Sequence, residues 1–208
     1  GNDMVMVQCN AGGTFGYKFS PTMEALIGVA VLATGRPCHL RYNYEQQQQY
    51  TGKRSPFFTT VRYAADKATG KIKAMEADWI VDHGPYSEFG DLLTLRGAQY
   101  IGAGYGIENI RGLGKTVCTN HGWGAAFRGY GAPESEFASE VLIDELAEKL
   151  GMDPLDFRLK NTGRNGDISP LNGKPVATLG ISDCLEEGRK KFRWDERKAA
   201  CKAFNEEA

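Results

Sequence analysis

The sequence is short of the features that identify many metal, membrane and nucleic-acid proteins. Its five cysteines are scattered without a Cys-x-x-Cys pair, so no iron–sulfur or zinc site is expected within the chain. The three histidines have no metal-ligand spacing, and we predict no metal held by protein side chains. No apolar run approaches the roughly 20 residues of a membrane-spanning helix. A formal charge of -1, with both signs interspersed, does not favour nucleic acid or an anionic membrane as a partner.

The composition is otherwise typical of a globular protein, with 41% apolar and 25% charged residues. An odd number of dispersed cysteines favours the reducing cytoplasm over an oxidising compartment. The chain begins Gly-Asn-Asp, without Met, and runs directly into an apolar segment. We therefore expect a fragment cut from a longer polypeptide.

The order of apolar and polar residues predicts an α+β fold, in which a mixed sheet with an antiparallel hairpin packs against helices. The hairpin is the clearest element, because residues 57–65 and 72–81 alternate apolar and polar side chains around a short polar turn. Ser20 and Pro21 suit the start of the first helix, and Gly35 suits its left-handed end. Further strands are predicted at 4–9, 38–43 and 107–118, and loops at 45–52 and 162–177. Further helices are predicted at 91–103, 133–150, 154–161 and 181–192, with Asp153 as the cap of the helix at 154–161.

The sequence also predicts which face of the long helix is buried and how the C-terminal end behaves. The helix at 133–150 has apolar residues at three- and four-residue steps, which predicts an apolar face. This apolar face comprises Phe137, Val141, Leu142, Leu146 and Leu150. At the C-terminal end, the charged segment 195–208 is expected to fray.

Residues 12–16, Gly-Gly-Thr-Phe-Gly, form a glycine-rich turn between a predicted strand and a helix. Glycines permit positive φ and close approach of the backbone, and amides near a helix start bind anions such as phosphate. The turn lacks the Gly-Lys-Ser/Thr ending of a P-loop and does not fit the Gly-x-Gly-x-x-Gly dinucleotide pattern. Taken alone, it is more often a plain strand-to-helix turn, and a phosphate- or nucleotide-binding protein of another kind is an alternative.

Residues 124–133 form a second glycine-rich loop, ahead of the long helix. Arg128 lies beside glycines near a helix start, which suits an anionic or electron-rich group. An aromatic ring between two glycines, as Tyr130 is, is expected to be presented rather than buried. The alternative is a loop in which Phe127 fills the core and Arg128 is solvated.

The two loops together resemble the xanthine dehydrogenase and aldehyde oxidase family, with Asn109-Ile110-Arg111-Gly112 between them and Glu140 in the next helix. The resemblance covers about residues 4–161 and is nearest to the bacterial aldehyde oxidoreductases. It implies that residues 1–161 are part of a molybdenum-cofactor-binding domain, followed at 162–208 by a connector and a C-terminal helical segment. It also implies oxidation of aldehydes to carboxylic acids, with water as the oxygen source.

In this family the molybdenum is held by the dithiolene of a pterin, so the resemblance implies molybdopterin as the cofactor. Bacterial members often carry it as the cytosine dinucleotide, which is the form we expect. One side of the cofactor would lie against Gly13, Thr14, Phe15 and Gly16. The opposite lip would consist of Ala126, Phe127 and Arg128, with Arg128 near the dithiolene.

The resemblance also implies a substrate channel lined by Phe19, Phe89, Leu92 and Tyr130. An aromatic and aliphatic funnel binds the apolar body of an aldehyde and excludes water. Phe19 and Leu92 are more often plain core residues in a domain of this size. Phe89 and Tyr130 lie in glycine-flanked loops, where a presented ring is less easily explained as core.

The residue at position 19 favours aldehydes over purines. Purine-hydroxylating relatives have a glutamate where this chain has Phe19, and an unpaired purine donor or acceptor costs about 1–3 kcal/mol. Purine enzymes also favour Phe at the position of Tyr130. Arg96 matches an arginine that purine enzymes use on substrate, so a purine or N-heterocycle hydroxylase stays an alternative. No cysteine occurs at 124–131, which disfavours the carbon monoxide dehydrogenase branch.

The chain lacks parts that the family's reaction requires. The general base of the family is a glutamate in a later Gly-x-Gly-Glu-type motif, and no such motif occurs here. Glu134, Glu136 and Glu140 are interpreted as helix-dipole partners or solvated residues. The two iron–sulfur domains are also absent, so we expect no catalytic residue in this chain and no activity of the isolated chain.

The expected partners are the remaining domains or subunits of a parent enzyme, together with an aldehyde substrate. Exposed former interfaces would favour homo-oligomers of the isolated chain. An alternative function is a small subunit or module that helps to bind the cofactor and has no activity of its own.

Overall fold

The computed structural model describes residues 4–10, 12–16, 23–86, 89–102, 104–169 and 172–207. The helices and strands in these residues confirm the α+β class. In chain order they are α1 (Glu24–Thr34), α2 (Tyr44–Tyr50), β1 (Phe57–Ala65), β2 (Ile72–Asp82), α3 (Gly90–Tyr100), β3 (Asn109–Val117), α4 (Ala132–Lys149), α5 (Pro154–Asn161), α6 (Ile181–Phe192) and α7 (Trp194–Glu207). In the part described, no helix is long and apolar enough to cross a membrane.

The described strands form one mixed sheet in the order β1-β2-β3. β1 and β2 form the predicted antiparallel hairpin, and β1 has the bounds expected from the sequence. Asp66 organises the turn between them, because its Oδ1 accepts hydrogen bonds from the amides of Ala68 at 2.9 Å and Thr69 at 2.7 Å. β3 lies beside β2 and is reached through α3, the kind of crossover that brings a further strand into a mixed sheet.

The chain divides into two compact units. Unit 1 comprises residues 1–59, 79–98 and 114–134, and it contains both glycine-rich loops. Its buried residues include Ser55, Trp79, Val81, His83, Leu93, Ala125 and Ala126. Unit 2 comprises residues 60–78, 99–113 and 135–208. Its buried residues include Ile72, Met75, Ala77, Ile101, Ile107, Ile143, Ala147 and Phe157.

In unit 1, the first helix begins later than the sequence suggests. α1 starts at Glu24, and its N-cap residue, Met23, makes no side-chain capping bond. The predicted cap Ser20 and first-turn Pro21 lie outside the described residues. The predicted end is confirmed, since Gly35 has a φ of 63° and its amide donates to the carbonyl of Val31.

Three other predictions for unit 1 are wrong. Residues 4–9 and 38–43 are not strands, because a strand requires a hydrogen-bonded neighbour and neither segment pairs with one in the described chain. Residues 45–52 are not a loop, since α2 occupies most of them. A capping box starts this helix: the Gln46 amide donates to Asn43 Oδ1 at 2.8 Å, and the Asn43 amide donates to Gln46 Oε1 at 2.9 Å.

In unit 2, α4 confirms the long helix and part of its predicted apolar face, since Leu142, Leu146 and Leu150 are half-buried. Its buried positions follow a four-residue step along a row of small and β-branched residues, whereas Phe137 is 74% and Val141 is 43% exposed. The fully buried positions therefore carry three small residues and one isoleucine. The buried row comprises Ser135, Ser139, Ile143 and Ala147.

The C-terminal helices are held together by polar contacts. Asp153 caps α5 as predicted, accepting from the amides of Leu155 at 2.8 Å and Asp156 at 3.2 Å. Its other carboxylate oxygen accepts from Trp194 Nε1 at 3.1 Å and from the ammonium of Lys198. These bonds tie α7 to the start of α5, and the fraying expected after residue 194 is wrong, since α7 runs to Glu207.

Candidate functional site

The two glycine-rich loops of unit 1 touch each other at Gly16. A Cβ atom placed on Gly16 would lie 2.6 Å from both the carbonyl carbon and the carbonyl oxygen of Ala126, and 2.9 Å from the amide nitrogen of Phe127. Only a residue without a side chain fits so close to another backbone. The structure therefore brings together two segments that are about 110 residues apart in the sequence.

The first loop has an unusual backbone that leaves part of it open. Gly13, Phe15 and Gly16 all have positive φ, of 123°, 49° and 99°. The Phe15 ring folds back towards Gly13, with Cε2 at 3.1 Å from a Cβ placed there, and it remains 46% exposed. Among the described residues, a Cβ on Gly12 would meet nothing within 4 Å. The predicted cofactor-side residues, including exposed Thr14, thus form an accessible main-chain surface.

The second loop is anchored along residues 52–55. The Lys53 amide donates to the carbonyl of Trp123 at 3.2 Å, and the Ala125 amide donates to the carbonyl of Lys53 at 2.9 Å. Beside this pairing, a Cβ on Gly52 would lie 2.4 Å from the Cβ of Ala125. The start of the loop is therefore fixed by backbone bonds and close packing.

A buried polar pair lies beneath the same loop. Ser55 Oγ and His83 Nδ1 are 2.7 Å apart, and both residues are buried. The Gly124 amide donates to the His83 carbonyl at 2.9 Å. A Cβ on Gly124 would lie 2.2 Å from Ser55 Oγ and 2.4 Å from His83 Nδ1, so this position accepts only glycine without rearrangement.

The end of the loop turns tightly before α4. The Tyr130 amide donates to the Phe127 carbonyl at 2.7 Å, and the Ala132 amide donates to the Gly129 carbonyl at 3.1 Å. Gly131, with a φ of 95°, packs against α3, since a Cβ there would lie 3.1 Å from the Cβ of Arg96. The turn presents an exposed Arg128, while Phe127 is half-buried.

The side chain of Arg54 stabilises this turn, a role that was not predicted from the sequence. Its guanidinium carbon lies 4.7 Å from the centre of the Phe127 ring, and its Nη2 donates to the Arg128 carbonyl at 2.5 Å. Its Nη1 donates to Glu134 Oε1 at 2.8 Å. No spacing rule links residues that are 80 positions apart, so the sequence carried no signal for this contact.

Glu134 and Glu140 of α4 make more side-chain contacts than the sequence suggested. Glu134 lies in the first turn, as a helix-dipole partner would, but its side chain is only 9% exposed and pairs with Arg54. Glu140 Oε1 accepts from Tyr105 at 2.7 Å, and its Oε2 accepts from Arg158 Nη2 at 2.7 Å. Burial, followed by the hydrogen bond to Glu140, raises the pKa of Tyr105. Glu136 is exposed, as expected.

Two of the predicted channel residues lie together. The Tyr130 hydroxyl donates to the Phe89 carbonyl at 2.7 Å, and both side chains are half-buried. Desolvation raises the pKa of Tyr130 to about 12, so the phenol stays a donor at neutral pH. Leu92 is 45% exposed on α3, which argues against a plain core role. Phe19 lies outside the described residues.

The sequence profile of the molybdopterin cofactor-binding domain family matches residues 1–162. The chain belongs to this family. It is 65% identical over 192 residues to the aldehyde oxidoreductase of Megalodesulfovibrio gigas, covering 92% of this chain and 21% of that protein. It is 32% identical over 197 residues to the xanthine dehydrogenase molybdenum-binding subunit of Escherichia coli O157:H7, covering 94% of this chain and 26% of the subunit.

A solved structure of the aldehyde oxidoreductase from Desulfovibrio desulfuricans aligns with a TM-score of 0.83 at 70% identity, over 90% of this chain and 20% of that one. The chain therefore spans between a fifth and about a quarter of the length of these relatives. These matches confirm the family expected from the two loops.

Proposed function

We propose that this chain supplies part of the molybdopterin cradle and of the substrate channel in an enzyme that oxidises aldehydes to carboxylic acids, with water as the oxygen source. The observation that carries the proposal is the contact of Gly16 with the backbone of Ala126 and Phe127. It joins the two loops that the resemblance assigns to opposite sides of one cofactor. The identity of 65% with a named aldehyde oxidoreductase supports the same assignment.

The residues of the two loops suit molybdopterin. No described residue fills the space at Gly12 beside the first loop, and the positive-φ glycines of this loop allow a ligand to approach the main chain closely. The exposed guanidinium of Arg128 supplies positive charge on the other loop. Bound molybdopterin would supply the molybdenum centre at which the aldehyde carbon is oxidised.

Each loop has a separate role in this proposal. Gly13, Thr14, Phe15 and Gly16 form one wall of the cradle, and Ala126, Phe127 and Arg128 form the other. We further propose the cytosine dinucleotide form of the cofactor. Its pyrophosphate requires more anion-binding groups than these loops contain, and residues outside the chain would provide them.

The proposed channel binds apolar aldehydes. The bond from the Tyr130 hydroxyl to the Phe89 main-chain carbonyl holds two aromatic residues in neighbouring positions, and the partly exposed Leu92 supplies a further apolar side chain. Phe19 is included among the channel residues only because the family resemblance assigns it there. Because phenylalanine cannot hydrogen-bond a purine ring, this composition favours aldehydes.

A purine or N-heterocycle substrate is the second candidate. Arg96 is exposed on α3, immediately beside Gly131 at the end of the second loop. A guanidinium in this place would suit a hydrogen-bonding heterocycle. The similarity to a xanthine dehydrogenase subunit also supports it, although at 32% identity.

The rest of the reaction is assigned to polypeptide outside these residues. The glutamate base and the iron–sulfur clusters would come from other domains or subunits, so the isolated chain is expected to be inactive and to retain little cofactor. Residues 1–161 would belong to the cofactor domain and 162–208 to a connector and helical segment, which the family match to residues 1–162 supports. Dispersed free cysteines favour a reducing cytoplasm.

The test is to purify the full-length protein that contains this chain and to measure its molybdenum, its pterin and its turnover of benzaldehyde and xanthine. We expect about one molybdenum per polypeptide, release of a cytosine nucleotide on acid hydrolysis, and oxidation of benzaldehyde. Turnover of xanthine alone would select the purine alternative. Absence of molybdenum would favour a different ligand for the two loops.

A further inference from the structure

Arg54 is placed to control the shape of the second loop without being part of the proposed cradle. Its own backbone is fixed on both sides, because Lys53 exchanges backbone hydrogen bonds with Trp123 and Ala125, and Ser55 is buried against His83. The side chain therefore projects from a rigid segment. Such support is what keeps a functional loop in one geometry.

The guanidinium of Arg54 makes three different contacts, each of which uses a distinct property of arginine. Its face lies over the Phe127 ring, with 4.7 Å between the guanidinium carbon and the ring centre. Its Nη2 donates to the Arg128 carbonyl at 2.5 Å, and its Nη1 donates to Glu134 Oε1 at 2.8 Å. A lysine could replace the charge but not the flat, forked geometry.

The start of α4 depends on Arg54, because Glu134 in its first turn has a nearly buried carboxylate. The Glu134 side chain is only 9% exposed, and within the described chain its Oε2 is buried without a hydrogen-bond partner. A buried carboxylate needs compensation by an opposite charge, and Arg54 provides it. The start of α4 and the turn before it are thereby linked through one side chain.

We propose that Arg54 is a positioning residue, which sets the Phe127 ring and the Arg128 backbone so that they face the cofactor. The proposal rests on the proposed function for its consequence in catalysis. Its structural part, the ordering of the loop, stands on the contacts alone. The two parts can therefore fail separately.

The first test is hydrogen exchange in the full-length protein, read at the amides of Tyr130 and Ala132, which close the turn through the carbonyls of Phe127 and Gly129. We expect Arg54→Lys to accelerate exchange at these amides at least fivefold and to leave exchange in β2 unchanged. The matched control is Arg62→Lys, since Arg62 also pairs with a glutamate, Glu76, but is 64% exposed. Equal exchange in the two variants would overturn the proposal.

A second variant separates positioning from the cost of a buried charge. Arg54→Met combined with Glu134→Met removes the ion pair from both sides and keeps apolar volume. We expect the turn to remain loosened in this variant, because the stacking on Phe127 and the bond to Arg128 are still lost. Exchange at the wild-type rate would show that Arg54 only neutralises Glu134, and would overturn the proposal.

The catalytic consequence is measured with benzaldehyde in the same proteins. We expect Arg54→Lys to lower molybdenum and pterin retention and to reduce kcat about tenfold, with KM within twofold of wild type, because Phe127 and Arg128 face the cofactor rather than the substrate. A changed KM with full cofactor content would contradict this role. If the wild-type protein contains no molybdenum, the proposed function fails, while the exchange measurements still decide the role of Arg54.

Discussion

Gly16 lies so close to Ala126 that a single added carbon would come within 2.6 Å of the Ala126 carbonyl. This contact is between two backbones, and it joins two loops that are each unremarkable as sequence motifs. In the proposed function, one ligand touches both loops at once. The arrangement explains why glycine is required at position 16, where φ is also 99°.

The packing beneath the second loop predicts that alanine substitutions at two neighbouring glycines have different effects on the free energy of unfolding. Gly124→Ala would push a methyl group against Ser55 Oγ and His83 Nδ1, and we expect it to lower the free energy of unfolding by about 1–3 kcal/mol. Gly122→Ala is the control, because no atom of the described chain lies within 4 Å of a Cβ there. Urea unfolding measures both, and equal stability of the two variants would contradict the close packing.

The hydroxyl of Tyr130 predicts a linked effect on stability and substrate binding. Tyr130→Phe removes its bond to the Phe89 carbonyl, so we expect a loss of about 0.5–1.5 kcal/mol in unfolding free energy. In the full-length protein, KM for benzaldehyde should rise severalfold because the Phe89 loop is less restrained. Tyr86→Phe is the control, since Tyr86 is 69% exposed in the same loop. Similar KM values for the two variants would remove Tyr130 from the channel.

Burial of the Tyr130 hydroxyl makes the stability of the protein depend on pH. The pKa of Tyr130 is raised to about 12 by desolvation, above its ordinary value of 10.0, so the folded protein favours the protonated phenol. The stabilisation is therefore complete below pH 10 and is lost as pH rises towards 12. The stability difference between wild type and Tyr130→Phe should be constant from pH 6 to about 9 and should shrink above pH 10. A difference that grows above pH 10 would contradict the assignment.

Asp153 predicts acid sensitivity at the start of α5. Desolvation alone would raise its pKa, but hydrogen bonds from Lys198, Trp194 and two backbone amides outweigh it and hold the pKa at about 2. Because this value lies below the ordinary 3.8, the stabilisation is full above about pH 4 and is lost as pH falls towards 2. In urea unfolding between pH 5 and 2.5, Asp153→Asn should flatten this decline. The control is Asp183→Asn, at an exposed carboxylate of α6, and the same slope in both variants would contradict the role of Asp153.

Elements with local signals were predicted well. The bounds of β1 and α6 and the cap of α5 at Asp153 agree with the structure, because alternation, helical periodicity and capping are encoded within a few residues. α2 was missed although Asn43 and Gln46 have the spacing of a capping box. A run of glutamines without an apolar face obscured that signal.

Features that depend on distant residues were not predictable. The segment at residues 4–9 has the composition of a strand, but strand structure requires a neighbour, and pattern alone does not supply one. The buried face of α4 was misassigned in part, because hydrophobicity favoured the exposed Phe137 and Val141, whereas the helix buries Ser135 and Ser139. Arg54 was missed for the same reason, since its three contacts all lie more than 70 residues away.

The most direct test of the account is the molybdenum and pterin content of the full-length protein with Gly16→Ala, compared with Gly12→Ala. At position 16 a methyl group would separate the two loops and strain the backbone by roughly 1–2 kcal/mol, whereas a Cβ on Gly12 meets no atom of the described residues within 4 Å. We predict that Gly16→Ala retains less than about a tenth of the wild-type cofactor, equivalent to about 1.4 kcal/mol of lost binding, while Gly12→Ala retains most of it. Full cofactor content in a folded Gly16→Ala protein would contradict the claim that the two loops together form the cradle.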